Sequence, residues 1–213
     1  MDIKTYNQYL FKHPFTCIVN GPTGCGKTHL LFQILENTER LFDLKPERIV
    51  YCYSEYQPIF SQYKNTNIEF NEGVIEKQLL DPNIRNLIIF DDLMDDCSDN
   101  SEIRDLFTKG SHHRNISVIM LTQNLFCRGK HFRTMSLNTH YMIVFKNPRD
   151  SSQIKFLSRQ MFPNKSKFLN DAYYDATKNG YSYLFLDTSP STNDDLRVQT
   201  DIININRIVY IKK

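Results

Sequence analysis

A glycine-rich segment near the N-terminus has the spacing of a phosphate-binding loop. It reads G-P-T-G-C-G-K-T and fits G-x-x-x-x-G-K-[ST] at every defined position. Its residues are Gly21, Pro22, Thr23, Gly24, Cys25, Gly26, Lys27 and Thr28. Backbone N–H groups of such a loop can surround a phosphate chain, with Lys27 reaching the β- and γ-phosphates and the Thr28 hydroxyl binding Mg²⁺. The alternative is an ordinary glycine-rich turn.

Two adjacent carboxylates follow the apolar run Leu87-Ile88-Ile89-Phe90. The run predicts a buried strand, and ligands of α/β sheets bind at the carboxyl ends of strands. Asp91 is suited to the Mg²⁺ shell, and Asp92 to polarising the water that attacks the γ-phosphate. Because Asp95, Asp96 and Asp99 make this whole loop acidic, Asp92 could instead be a solvated carboxylate.

Two further polar residues flank the strand predicted at 116–122. Gln123 follows it at the same carboxyl edge, where it could hydrogen-bond the γ-phosphate or the attacking water; a plain strand terminus is the alternative. Arg114 precedes it, at the opposite edge from its own nucleotide. It could therefore reach a neighbouring subunit's nucleotide as an arginine finger, or it could be a solvated or DNA-facing arginine.

The elements that must position these residues alternate between strand-like and helix-like segments, which is typical of a parallel α/β sheet. We predict five core strands, six helices, and two later strands that form an antiparallel addition. The core strands are at 15–20, 49–53, 86–90, 116–122 and 141–145, the helices at 27–42, 56–63, 74–80, 101–109, 150–161 and 166–178, and the later strands at 181–187 and 208–211. The 213 residues are expected to form one domain, with 1–14 as an N-terminal extension and 181–213 as a C-terminal strand addition.

The strand at 49–53 lies in sequence between the phosphate loop and the acidic strand, as in the branch of P-loop proteins that hydrolyses nucleotide with a catalytic acid. The sequence contains no N-K-x-D guanine-reading motif. ATP is therefore the expected nucleotide rather than GTP.

Charge is distributed unevenly. The net charge is +2, but residues 1–108 carry a net −7 and residues 109–213 a net +9. Such asymmetry indicates a polyanion-facing half. Arg128, Lys130, His131 and Arg133 could follow DNA phosphates without reading bases, or form a solvated outer surface. No apolar run spans a bilayer and no secretory signal begins the chain, so we expect an intracellular protein without membrane contact.

The sequence resembles the FtsK/HerA-type translocases, and among them the genome-packaging ATPases of adenovirus-like elements, virophages, Polinton-like elements and large DNA viruses. The resemblance rests on Gly21–Thr28, Ile88–Asp92, Arg114–Phe126 and Phe145–Asp150. One departure is that the second acid is Asp92, where Glu is commoner, which shortens its reach.

The resemblance implies a RecA-like core, ATP and Mg²⁺ as ligands, and a homo-oligomeric ring, pentameric or hexameric, that moves double-stranded DNA into a preformed capsid. A capsid vertex or portal protein would be a further partner, at the viral assembly site in the host cytoplasm or nucleus. Arg114 matches the position of the trans-acting arginine, with Arg128, Arg133 and Arg149 as competitors. A helicase-like or nucleic-acid-binding P-loop ATPase outside packaging is the alternative.

Overall fold

A computed structural model describes residues 10–64, 66–93, 101–107, 115–125 and 132–212. Within these ranges nine strands form one sheet. The strands are β1 Thr16–Asn20, β2 Arg48–Tyr53, β3 Ile68–Glu72, β4 Asn86–Asp91, β5 Ile116–Thr122, β6 Tyr141–Phe145, β7 Tyr183–Asp187, β8 Val198–Thr200 and β9 Ile208–Val209. The α-helices are α1 Lys27–Glu36, α2 Thr38–Leu41, α3 Ser101–Asp105, α4 Phe132–Leu137, α5 Ser152–Met161 and α6 Ser166–Ala176.

The strand order is β3-β2-β4-β5-β1-β6-β7-β8-β9. The first six strands are parallel, and the last three continue the sheet in antiparallel fashion. This confirms the predicted mainly parallel α/β sheet with a C-terminal antiparallel addition. Strand β5 lies between β1, which leads into the phosphate loop, and β4, which ends at the acids. The two halves of the candidate site are therefore separated by one strand.

Both faces of the sheet are buried, because successive side chains of the central strands enter different hydrophobic clusters. In β4, Leu87 and Ile89 pack on the face covered by α1, whereas Ile88 and Phe90 pack on the face covered by α3 and α4. Helices α5 and α6 cover the second face farther along, against β6 and β7. In this three-layer arrangement neither face of the central strands meets water. Their sequences are therefore mainly apolar throughout.

The helix predicted over 27–42 is interrupted after Glu36. Asn37 adopts φ −108°, and its side-chain Nδ2 donates to the Gln33 carbonyl at 2.9 Å. This contact competes with continuation of the helix, and α2 then begins at Thr38. The five apolar residues of α1, Leu30, Leu31, Phe32, Ile34 and Leu35, are all buried, and each contributes about 2 kcal/mol of hydrophobic stabilisation.

Several predictions between β2 and β4 were wrong. Strand β3 was not predicted, and the helical stretches expected at 56–63 and 74–80 are helical only in part, as short 3₁₀ helices at Pro58–Tyr63 and Lys77–Leu79. Among the described strands, β3 pairs with β2 alone and forms the edge of the sheet, so its polar residues Glu69 and Asn71 need no burial.

The C-terminal addition contains one strand more than predicted, β8, which lies between β7 and β9. At the other end of the chain, part of the predicted extension packs into the core. Phe11 is fully buried, forms a bridge with Phe42, and stacks on Phe15 with ring centroids 5.0 Å apart.

Candidate functional site

The predicted phosphate loop joins β1 to α1. Gly26 adopts φ 101° and is the N-cap of α1, and Gly24 adopts φ 77°. Both angles lie in the left-handed region that glycine tolerates best. The Lys27 ammonium donates to the carbonyls of Gly21 at 2.6 Å and Pro22 at 3.2 Å. The loop therefore curls around its own lysine, with the N-terminus of α1 beside it.

The phosphate loop packs directly against strand β6. A Cβ on Gly21 would lie 2.6 Å from Cys25 Sγ and 2.7 Å from Phe145 Cβ, distances that real atoms do not tolerate. The Gly21 N–H also donates to the Thr122 carbonyl at 3.1 Å. Glycine is required at position 21 because the loop backbone rests directly on β6.

Asp91 is the last residue of β4 and is only 5% exposed. Its Oδ2 accepts hydrogen bonds from the Tyr51 hydroxyl at 2.6 Å and from Gln57 Nε2 at 3.2 Å. Burial raises the pKa of the Asp91 carboxyl above its ordinary value, and the neighbouring Asp92 charge raises it further, while the Tyr51 bond and the Lys27 charge oppose this. Asp91 is thus a buried carboxyl group, and the Tyr51 hydrogen bond and the Lys27 charge stabilise its ionised form.

Sequence reasoning did not identify Tyr51 or Gln57. Tyr51 lies in an apolar strand and is paired in register with Ile89, two residues before Asp91, so only the strand register reveals the contact. Gln57 follows β2 at the carboxyl edge of the sheet. A search of the loops at that edge for polar residues would have found it.

At Asp92 the backbone turns away from the direction of β4. It adopts φ 56°, a left-handed conformation that Asp tolerates better than most residues. Its Oδ1 accepts a hydrogen bond from Gln123 Nε2 at 3.1 Å. The second acid and the predicted sensor, 31 residues apart in sequence, are therefore in direct contact across the ends of β4 and β5.

Five of the eight predicted phosphate-loop residues, both acids and the predicted sensor line one cleft of about 390 Å³. The residues that line it are Thr23, Gly24, Gly26, Lys27, Thr28, His29, Gln57, Asp91, Asp92, Leu121 and Gln123. The cleft lies at the carboxyl edge of the sheet, where β1, β4 and β5 end, as expected for α/β proteins.

The donor set fits Mg²⁺. Both protein donors to Asp91 bind Oδ2, so within the described residues Oδ1 is available as a ligand. Thr28 lines the same cleft as this carboxylate. A hydroxyl and a carboxylate oxygen, completed by phosphate oxygens and water, are the ligands that Mg²⁺ prefers.

Some predicted residues lie outside the described part of the chain: Arg114, Arg128, Lys130 and His131. Arg133 belongs to α4, but its side chain is not described. Asn115, which follows Arg114, lies at the amino edge of the sheet, where its side chain contacts His13 Nε2 at 3.2 Å. That edge is opposite the cleft, and the role predicted for Arg114 stays a prediction.

Several basic residues in the second half of the chain are described by the structure, and their side chains are exposed. Lys155 and Arg159 lie one turn apart on α5, and both are at the surface. The exposed Lys146, Arg149, Lys165 and Lys167 lie before α5 and around the start of α6. Six exposed cations therefore lie in α5, in α6 and in the segments that precede these two helices.

The sheet order, the phosphate loop and the acidic strand define a RecA-like P-loop ATPase fold. Similar solved structures include the genome-packaging NTPase B204 from Sulfolobus turreted icosahedral virus 2. In complex with AMP it is 10% identical at TM-score 0.57, covering 88% of this chain and 96% of that chain. In complex with AMPPCP it is 13% identical at TM-score 0.56 with the same coverage.

B204, the DNA-packaging ATPase from Sulfolobus turreted icosahedral virus, is 12% identical at TM-score 0.56 and covers 88% of this chain and 97% of that chain. At such identities the similarity establishes the fold. No family model and no curated protein sequence matches this chain. In the part of the chain that the structure describes, no helix is both long enough and apolar enough to cross a bilayer.

Proposed function

We propose that this protein is an Mg²⁺-dependent ATPase that translocates double-stranded DNA and packages a viral genome into a preformed capsid. The observation that carries the proposal is the single cleft containing Lys27, Thr28, Asp91, Asp92 and Gln123. In this cleft Lys27 binds the phosphates, Thr28 and Asp91 hold Mg²⁺, and Asp92 accepts a proton from the attacking water.

Gln123 connects hydrolysis to the rest of the subunit. Its amide holds Asp92 at 3.1 Å, so a change in the occupant of the γ-phosphate position would alter this bond first. Gln123 also follows β5 directly, and β5 is buried along its whole length. We infer that Gln123 reports the state of the nucleotide through this strand.

Packaging is favoured by two independent features. The fold is similar over 88% of the chain to a viral DNA-packaging ATPase, and six exposed cations lie in and just before α5 and α6. A homo-oligomeric ring, pentameric or hexameric, would surround the duplex, with the capsid vertex or portal as its docking partner inside the infected cell. Arg114, which lies outside the described residues, would act on the neighbouring subunit's ATP.

The test is ATP hydrolysis by the purified protein at low salt, alone and with blunt duplex or single-stranded DNA. We expect duplex DNA to stimulate hydrolysis and added salt to remove the stimulation, because phosphate contacts weaken as counterions compete. Lys27→Ala is the matched control and should not hydrolyse ATP with any DNA.

Other outcomes discriminate between functions. Stimulation by single strands alone would favour the helicase-like alternative. Hydrolysis that is indifferent to DNA would leave an ATPase with another partner, and unchanged hydrolysis by Lys27→Ala would overturn the phosphate-loop assignment.

A further inference from the structure

An exposed aromatic side chain lies beside the phosphate loop and has no part in the hydrolytic site described above. Tyr181 precedes β7 and is 77% exposed. Its φ of 62° is in the left-handed region, which is unusual for a bulky residue. Such conformations persist where the surrounding structure imposes them, and they are frequent at ligand-binding positions.

Tyr181 packs against the last glycine of the loop. Its Cδ1 atom lies 3.2 Å, and its Cβ 3.6 Å, from the position that a Cβ of Gly26 would occupy. Gly26 lines the phosphate cleft and caps α1. One side of the Tyr181 ring is therefore fixed against the loop, while most of its surface remains open to solvent.

A second cavity, of about 630 Å³, begins at Tyr181. We call it the Tyr181 groove; Gln33, Lys178, Asn179, Ser182 and Asn204 also line it. Helix α1 connects the two cavities, because Lys27 lies in the phosphate cleft and Gln33 in the groove. Tyr181 also links the cavities, since it lines the groove and contacts Gly26 of the cleft, so a ligand anchored at the loop needs to pass only this side chain to enter the groove.

We propose that the Tyr181 groove is the nucleoside subsite, in which the adenine of ATP stacks on Tyr181 and its polar edge meets the Gln33 amide. This inference rests on the proposed function, since the triphosphate in the loop anchors the nucleoside. Aromatic rings bind any base through its π-face, so the ring supplies affinity. A glutamine amide can pair with the adjacent donor and acceptor of adenine and thereby supplies selectivity.

The chain contains no tryptophan, which allows a direct optical test. Tyr181→Trp introduces a single indole at the proposed stacking position. We expect ATP to change its fluorescence and inorganic tripolyphosphate, which fills the loop but has no base, to leave it unchanged. The matched control is Tyr174→Trp on α6, where the parent residue is 49% exposed and lines neither cavity; its fluorescence should not respond to either ligand.

Affinity measurements complete the test. Tyr181→Ala should weaken ATP binding by about tenfold, the size of one base–aromatic stack, and leave tripolyphosphate binding within about twofold of the parent protein. Tyr181→Phe retains the ring and should bind ATP normally. Gln33→Leu should reduce the preference for ATP over GTP while retaining tripolyphosphate binding.

The outcomes separate the two proposals. If the parent protein binds ATP and Tyr181→Ala binds it equally well, or if tripolyphosphate changes the Tyr181→Trp signal as much as ATP does, the nucleoside subsite is refuted and the ATPase proposal stands. If the parent protein binds neither ATP nor tripolyphosphate, both proposals are refuted.

Discussion

The Tyr51–Asp91 hydrogen bond supports the most quantitative prediction. Tyr51 is fully buried and donates to a carboxylate that is 5% exposed, over 2.6 Å. Tyr51→Phe removes that donor and retains the ring, which stacks on Phe32 with centroids 5.7 Å apart. After the change, Gln57 is the remaining donor to the carboxylate among the described residues.

The expected cost depends on whether Asp91 is ionised. A hydrogen bond to a charged group contributes about 1.5–3 kcal/mol, and one between neutral groups about 0.5–1.5 kcal/mol. Burial already raises the pKa of Asp91 from its ordinary 3.8, and the Tyr51 bond lowers it, so the variant's Asp91 pKa lies higher still. The parent protein loses stability as pH rises through the Asp91 pKa, because burial disfavours the carboxylate, and the variant should lose more.

The assay is urea unfolding of the nucleotide-free protein at several values between about pH 4 and pH 8. We expect the destabilisation of Tyr51→Phe to grow with pH and to reach about 1.5–3 kcal/mol where Asp91 is ionised. At about 2–4 °C per kcal/mol for a chain of this size, the difference is also measurable as a Tm shift.

Tyr63→Phe is the matched control. It removes a phenol that donates to the Glu36 carboxylate at 2.8 Å on the protein surface, and its ring also stacks on Phe32, at 4.0 Å. Because this pair is exposed, its removal should cost less than about 1 kcal/mol. Equal losses in the two variants, or a Tyr51→Phe loss that does not vary with pH, would refute the reasoning.

Two further variants test the cleft. Asp92→Asn retains the Oδ1 that accepts from Gln123, so ATP binding should be preserved while single-turnover hydrolysis falls by about 100-fold or more; near-normal turnover would place the general base elsewhere. Gly21→Ala would force a Cβ to within 2.7 Å of Phe145 and should cost about 1–3 kcal/mol in urea unfolding. Gly180→Ala, which meets nothing within 4 Å, is its control, and equal stability of the two variants would contradict the packing argument.

The fold was predictable where strands are buried on both faces. The expected bounds of 116–122 and 141–145 agree with β5 and β6 at every residue, because such strands are unbroken apolar runs ending in polar residues. Strand β3 was not predicted because it lies at the edge of the sheet. There the polar residues Glu69 and Asn71 break the run of apolar side chains by which the central strands were identified. The single long helix at 27–42 was wrong because the Asn37 side chain bonds the Gln33 carbonyl and interrupts the helix.

The site was predictable only for residues that a motif or a strand end identifies. The phosphate loop and the acids lie next to strands whose carboxyl ends must meet in a parallel sheet. Tyr51 lies 40 residues before Asp91, and Tyr181 lies 155 residues after Gly26. Neither contact leaves a local pattern, so both required the three-dimensional register.

Strand β5 connects the carboxyl edge of the sheet, where the cleft lies, with the opposite, amino edge. Its seven residues are all buried and span about 20 Å. One end leads to Gln123, which holds Asp92; the other follows Asn115, whose carbonyl accepts from the Asn86 N–H at 3.0 Å. Because β5 is buried on both faces and hydrogen-bonded at both ends, a displacement at the nucleotide can be transmitted along it to Asn115, at the opposite edge of the sheet.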